Sequence, residues 1–142
     1  MSSSKIIVGV DGSEHSIRAV QWCAAHAAEL DAEVVAVHVI DTPVYLSDIE
    51  LPAPPLSSAR RGKMHELVTR DWCKPLADAG VPYRVVLGDG SPSVGLMRAA
   101  ETEDAELVVT GRRGRGGFAE LVLGSTGNQL MHHLDRPLVL VP

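Results

Sequence analysis

Apolar residues fall into five short runs along the chain: Ile6–Val10, Val34–Ile40, Val81–Leu87, Leu107–Thr110 and Leu138–Val141. Most are rich in Val and show little polar alternation. A strand covered on one face alternates; a strand covered on both faces does not, and parallel sheets are covered on both. Between the runs a helical period takes over. Ile17, Val20, Ala24 and Ala27 share one predicted face of a helix over Ser13–Leu30, with Glu14 in its first turn, where the helix dipole favours an acid. A second helix is predicted over Arg60–Ala79, closed by Gly80, and Pro75 should kink it or end it early. Ser91-Pro92 reads as an N-cap followed by proline at the first helical position. The helix it opens runs to Glu103, with Val94, Met97 and Ala100 on one face. A last helix fits Ser125–Leu134, ended by Asp135-Arg136-Pro137. Strands alternating with helices predict βαβ units and an α/β fold built on a parallel sheet. Asp41–Ser58 breaks the pattern with Pro43, Pro52, Pro54 and Pro55. It reads as a long loop with at most a short helix, because too little chain precedes it for a separate core.

Composition narrows this picture. A length of 142 residues is that of one domain, so residues 1–142 are expected to form a single unit. Hydrophobic residues make up 45% but aromatics only 4%, so the core must be aliphatic. The net charge of −5 argues against a general nucleic-acid partner, which needs a basic footprint. The apolar runs are too short for a membrane span, and the opening MSSSKIIVGVD is too short for a signal-peptide core. Cys23 and Cys73 stand far apart in sequence with no ligand spacing. They are expected to be partly buried free thiols of a reducing, cytoplasmic compartment.

The most informative stretch is Thr110–Asn128, TGRRGRGGFAELVLGSTGN. It begins at the end of a predicted strand and finishes in the start of a predicted helix. Ligands of open parallel sheets bind outside the carboxyl ends of strands, where strand order reverses. Gly111, Gly114, Gly116, Gly117 and Gly124 let a backbone come close to a ligand, and helix N-terminal N–H groups favour phosphate. Ser125 and Thr126 add hydroxyls. Arg112, Arg113 and Arg115 add positive charge to an otherwise acidic chain. The competing reading is a solvated surface loop. The stretch is neither a Walker A loop, since Gly-Lys-Ser/Thr is missing, nor a dinucleotide fingerprint, since Gly9-Val10-Asp11-Gly12-Ser13 lacks its spacing.

The spacing Gly111-x2-Gly114-x9-Gly124-Ser125 resembles the nucleotide motif of the universal stress protein family, in its ATP-binding subgroup. Ile6–Ser13 is similar to that family's first strand and turn, Val37–Ile40 to its second strand, and Arg136–Val141 to its closing strand. The resemblance implies an open doubly wound five-stranded parallel sheet, ordered 3-2-1-4-5, with helices on both faces. It implies that Gly9, Val10 and Asp11 line a nucleotide and that the backbone at Val39 meets the adenine. Thr110 and Gly111 would pass under ribose and phosphates. Gly114, Gly124, Ser125 and Thr126 would hold the phosphate chain of ATP, with Mg²⁺ bridging its oxygens. The chain departs from the family at Gly127, where a second Ser or Thr is usual, which puts one phosphate contact in question.

Two roles stay open for single residues. Asp11 either lines the ligand or caps its own turn, and Ser125 either binds phosphate or caps the last helix. His132 and His133, adjacent on a helix, diverge by about 100° and suit the helix C-terminus better than a shared metal. His38 reads as a satisfied core histidine. No nucleophile–base pair emerges, so no catalytic residue is assigned. The expected function is an ATP-binding stress regulator or sensor with at most slow hydrolysis. It is expected to be a homodimer through the apolar edge strand Leu138–Val141. The alternatives are a non-nucleotide interaction module or a cyclic-nucleotide-binding protein on the same fold, then an adenylyl-transferring enzyme, and last a flavodoxin-like redox protein.

Overall fold

The computed structural model describes residues 4–40, 57–113 and 123–142. Its five strands are β1 (Ser4–Gly9), β2 (Ala32–Ile40), β3 (Tyr83–Asp89), β4 (Leu107–Gly111) and β5 (Leu138–Val141). All pair in parallel in the order β3-β2-β1-β4-β5. The helices are α1 (Glu14–His26), α2 (Ser58–Leu67), a π-helical turn (Val68–Trp72), α3 (Lys74–Asp78), α4 (Pro92–Glu103) and α5 (Ser125–His133).

Helices cover both faces, so the core has two halves. On one side Ile6, Val8, Val34, Ala36 and Val109 pack with Ala19, Val20, Cys23 and Ala27 of α1 and with Val68, Cys73 and Leu76. On the other, Ile7, Val35, Val37, Val39 and Val108 pack with Leu96 and Ala100 of α4 and Leu130 of α5. Successive strand residues point to opposite faces, which is why both members of the pair Ile6-Ile7 are fully buried.

Two helix faces differ from the pattern predicted by periodicity. The face of α1 that meets the sheet is Ser16, Ala19, Val20, Cys23 and Ala27. Ile17 is 36% exposed and Ala24 half-buried. In α4 the buried residues are Ser93, Leu96 and Ala100, while Val94 is 47% exposed and Met97 half-buried. In both helices small side chains, Ser16 and Ala19 in α1 and Ser93 and Ala100 in α4, share the stripe with one larger residue, Val20 or Leu96. The helix predicted over 60–79 is interrupted at Cys73, and Pro75 falls in the first turn of α3. There its missing N–H costs nothing. Strand β1 begins two residues before the predicted run and ends at Gly9, leaving Val10 outside it; β3 is displaced by two residues toward the C-terminus. The predicted loop lies outside the described residues over 41–56, while Ser57 caps α2 by accepting from the Arg60 N–H.

Both cysteines are fully buried, more than the partial burial expected of them. Burial pushes the Cys23 thiol up to about 12 and that of Cys73 up to about 11, so neither forms a nucleophilic thiolate near neutrality.

At the amino end of the sheet Glu103 gathers two cations. It accepts from Lys5 Nζ at 3.0 Å and from Arg84, which also bonds Glu33 Oε1 at 3.1 Å. The hydrogen bond from Arg84, then that from Lys5, holds the Glu103 carboxyl down to about 2. A depressed carboxylate pKa stabilises the fold above its unfolded value of about 4.3 and stops doing so as pH falls through the folded value. Urea midpoints should therefore drop for the parent between about pH 4 and 2. Glu103→Gln should lower the midpoint at pH 7 and flatten that acid limb; an unchanged limb would remove Glu103 from the account.

Candidate functional site

The strand order reverses at β1, whose neighbours β2 and β4 leave on opposite sides. Ligand crevices of open sheets form at such a point, beyond the carboxyl ends of the strands. The residues there are Gly9-Val10-Asp11 after β1, His38-Val39 in β2 and Thr110-Gly111 in β4. Gly9 and Thr110 lie side by side: a β-carbon on Gly9 would meet Thr110 Oγ1 at 3.5 Å and Leu96 Cδ1 at 3.0 Å.

Strand β2 outruns β1. Its last partner on that side is Gly9, opposite Val37, whereas pairing with β3 continues to Ile40. The Val37 carbonyl accepts from the Val10 N–H at 2.9 Å, so Val37 turns its backbone polar groups toward β1. Polar groups alternate sides along a strand, and Val39 therefore turns its N–H and C=O the same way, past the end of β1. The Val10 carbonyl instead accepts from His38 Nδ1 at 2.8 Å. His38 also meets the edge of the Trp72 ring at 5.1 Å. It is hydrogen-bonded, as the sequence suggested, but half-buried and outside both halves of the core, and its bond anchors the strand-to-helix turn at the site. The Val39 side chain faces α4: a β-carbon on Gly95 would lie 2.5 Å from Val39 Cγ2.

In the β1–α1 turn, Asp11 Oδ1 accepts from the Ser13 N–H at 2.9 Å, the capping role left open for it. Gly12 sits at φ 81°, a left-handed position suited to glycine. Ser13 caps α1 by accepting from Ser16 N at 3.2 Å, and Ser16 Oγ accepts from the Asp11 N–H at 3.0 Å.

Gly111 ends β4 beneath the first turn of α1. A β-carbon there would fall 2.8 Å from His15 C and 2.9 Å from His15 O. The glycine is thus required by packing, whatever it does for a ligand. Past it, the Arg112 N–H donates to Val141 O at 2.8 Å, and the Arg112 carbonyl accepts from the Gly124 N–H at 2.9 Å. These bonds clamp the base of the glycine-rich loop and set the start of α5 beside the end of β4. Gly114 and residues 115–122 lie outside the described residues. Gly124 itself is the N-cap of α5, and among the described residues no side chain caps that helix. Ser125 is its first helical residue and exposed, so the capping role considered for it goes to Gly124; Thr126 is half-buried. At Gly127 a β-carbon would lie 3.1 Å from Leu123 Cδ1 and 3.3 Å from Leu140 Cδ2, which leaves little space for a hydroxyl.

Periodicity and motif spacing both passed over His15. Its Nε2 lies 3.3 Å from Arg113 Nη2 and its Nδ1 3.5 Å from Arg18 Nη1. Desolvation, then the charges of Arg113, Arg18 and Arg112, hold its pKa below the ordinary imidazole value; Glu14 opposes them. His132 and His133 are exposed at the end of α5, their rings 6.4 Å apart. Among the described residues no three His, Cys, Asp or Glu converge on a metal position. No helix among them is long and apolar enough to cross a membrane.

The parallel sheet and its reversal of strand order at β1 define a doubly wound α/β protein. The universal stress protein family model matches residues 3–142, and the chain belongs to that family. It is 30% identical to a universal stress protein of Thermus aquaticus over 96% of either chain. It is 33% identical to one of Mycolicibacterium smegmatis over 96% of its own length and 47% of that protein, so it spans about half of this relative. Among solved structures, the Archaeoglobus fulgidus universal stress protein in complex with dAMP aligns over the full length of both chains with a TM-score of 0.74 at 17% identity. An Arabidopsis thaliana family member with AMP bound aligns over 97% of this chain and 90% of its own with a TM-score of 0.64 at 15% identity. A universal stress protein in complex with cAMP aligns over 99% and 98% with a TM-score of 0.72 at 20% identity. At these identities the structural matches establish the shared fold.

Replacing Gly111 tests how tightly that fold is held at the site. Gly111→Ala should destabilise the protein by about 1–3 kcal/mol, the usual cost of overpacking, since the α1 backbone has to move. Urea unfolding reads this directly; a neutral substitution would show that the first turn of α1 is loosely held.

Proposed function

We propose that this chain is a single nucleotide-binding domain that holds ATP in the crevice and acts as a cytoplasmic stress regulator or sensor. The observation that carries the reading is the meeting, at one switch point, of a β2 edge and an α5 start that are both left without partners among the described residues. The first supplies the N–H and C=O of Val39, which suit a base edge. The second supplies N–H groups and dipole charge, which suit phosphate. The adenine nucleotides in the matched structures support the same ligand class. Gly9, Val10 and Thr110 form the floor, Asp11 the rim, and Ser125 and Thr126 the phosphate end. Gly114 belongs to the proposed motif from its sequence position. Mg²⁺, where it takes part, would be held mainly by phosphate oxygens, because the described side chains form no cluster for it.

Hydrolysis is expected to stay below about 1 s⁻¹, the low end of ordinary enzyme turnover, in keeping with the lack of a nucleophile–base pair among the described residues. Calorimetric titration should show ATP binding, and ATP a hundredfold above Kd should stabilise the fold by about 2.7 kcal/mol. Gly124→Glu tests the phosphate end. Gly124 has an ordinary φ of −64°, so glutamate fits the backbone while its charge opposes phosphate. It should weaken ATP at least about tenfold, or 1.4 kcal/mol, with little change in unliganded stability. Unchanged affinity would move the phosphates elsewhere. Tight cAMP binding without ATP binding would favour the cyclic-nucleotide alternative, and no binding of either would favour an interaction module.

The assembly we propose is a homodimer through β5, the last strand in the sheet order. The carbonyls of Pro137 and Val141 accept from β4 or the residue after it, so Leu138 and Leu140 turn their N–H groups to the outer edge. Wild-type protein should sediment as a dimer. Leu140→Pro, which deletes an outward N–H, should shift it to monomer with its helical circular dichroism retained. A dimer that survives this change would place the interface on another surface.

A further inference from the structure

Three polar side chains are buried among the described residues: Ser16 at 4% exposure, Ser93 at 7% and Thr110 at 8%. Two of them have partners. Ser16 Oγ accepts from the Asp11 N–H at 3.0 Å, and Ser93 Oγ lies 3.1 Å from Ser91 Oγ. No described residue bonds the Thr110 hydroxyl. Native structures rarely leave such a group unpaired, because it has given up water without a replacement. Its oxygen is not sealed from solvent, so a ligand in the crevice can supply the missing bond.

Its place in the fold decides which part of a ligand that is. Thr110 is the last residue but one of β4, beside the end of β1 at Gly9. A β-carbon on Gly9 would meet Thr110 Oγ1 at 3.5 Å and Leu96 Cδ1 at 3.0 Å, so the hydroxyl lies on the α4 side of the floor. Gly9 has no side chain to cover it, and those of Val10 and Leu96 cannot bond it. Strands β2 and β4 stand two strand spacings apart, about 9.5 Å, and β1 does not fill that space beyond its own end.

We infer that Thr110 is a specificity-determining residue whose hydroxyl bonds the cis-diol of the ribose. This deepens the nucleotide reading above and rests on it. There the base meets the β2 edge at Val39 and the phosphates meet the start of α5. The sugar joins the two, so it crosses the ends of β1 and β4, which lie between them in the sheet order. Its hydroxyls are the polar groups that this part of the ligand carries, and Thr110 is the polar side chain of an otherwise aliphatic floor. A hydroxyl both donates and accepts, so either oxygen of the diol satisfies it. The contact does not read the base, whose polar edge is turned to Val39. A site that bonds a ligand hydroxyl rejects the analogue lacking it, because the group of the site is then left unpaired. Without ligand the Thr110 hydroxyl holds nothing together, so the fold does not need it.

The test titrates ATP, 2′-deoxy-ATP and 3′-deoxy-ATP into wild type, Thr110→Val and Thr110→Ser by calorimetry. In wild type at least one deoxy analogue should bind about threefold to tenfold more weakly than ATP, the worth of one neutral hydrogen bond, and that analogue identifies the oxygen. Thr110→Val, which keeps the shape and removes the hydroxyl, should weaken ATP to the level of that analogue and leave the analogue itself unchanged. Thr110→Ser should keep the difference. Urea midpoints without nucleotide give a second readout, in which Thr110→Val should be no less stable than wild type. Equal wild-type affinities for ATP and both analogues, or a difference that survives in Thr110→Val, overturns the inference while the nucleotide reading stands. A marked loss of unliganded stability in Thr110→Val shows that the hydroxyl serves the fold and overturns it as well. Failure of all three nucleotides to bind overturns the nucleotide reading and this contact with it.

Discussion

Ile6, Ile7 and Val8 lie in the middle of the sheet with no exposure to solvent. Strand β1 must therefore be covered by helices on both faces and by strands on both edges. Consecutive apolar residues exclude the half-solvated sheet that alternation would build, and the parallel neighbours β2 and β4 supply the edges. Each of those neighbours leaves β1 on its own side, and the connecting helices take opposite faces: α1 packs with one half of the core, α4 and α5 with the other. Where β1 ends at Gly9 its two neighbours run on, β2 to Ile40 and β4 to Gly111, leaving a gap between them. The crevice is thus a consequence of burying the central strand, before any ligand is considered.

The polar groups at that end are arranged in keeping with this. Backbone groups that would continue the ladder find other partners: the Val10 carbonyl turns to His38 and the Asp11 N–H to Ser16 Oγ. The connection after β4 is fastened by Arg112, through Val141 on one side and Gly124 on the other. A chain with a net charge of −5 keeps Arg18, Arg112 and Arg113 close to one histidine there, while Glu103 at the opposite end of the sheet draws Lys5 and Arg84. Each end of the sheet thus holds its own cationic group, the one at the amino end paired with Glu33 and Glu103.

Much of this was legible in the sequence. Unalternating Ile and Val runs state two-sided burial, and Ser91-Pro92 states a helix start. The glycine spacing after β4, with the first-strand and closing-strand patterns, was enough to state the family. Helix phase was less legible. Ile17 and Val94 look like core residues, yet Ser16, Ala19 and Ser93 share the buried faces with Val20 and Leu96, and periodicity alone favours large side chains over small ones. Long-range pairs were invisible. His15 meets Arg113 and Lys5 meets Glu103 across 98 residues, and His38 finds Val10 only because β2 outruns β1. Gly111 illustrates a third case: the motif marks it as a ligand residue, and its neighbours show that α1 would exclude any other residue there.

The shortage of aromatic residues has a consequence for how a base can be read. The described tryptophans and Tyr83 are engaged within the helical layer: Trp22 stacks on His26 at 4.3 Å, Trp72 meets His38, and the Tyr83 hydroxyl donates to Thr69 O at 3.1 Å. Under the proposed function the purine is held by aliphatic flanks and by the strand edge at Val39. That edge has polarity. A single residue offering N–H and C=O side by side complements adenine, whose N1 accepts and whose N6 donates. Guanine presents the reverse, with O6 accepting and N1–H donating, and would set donor against donor. Leaving such groups unpaired out of water is expensive, about 1–3 kcal/mol for each. Discrimination at this site therefore needs no dedicated side chain, only a strand that continues beyond its neighbour.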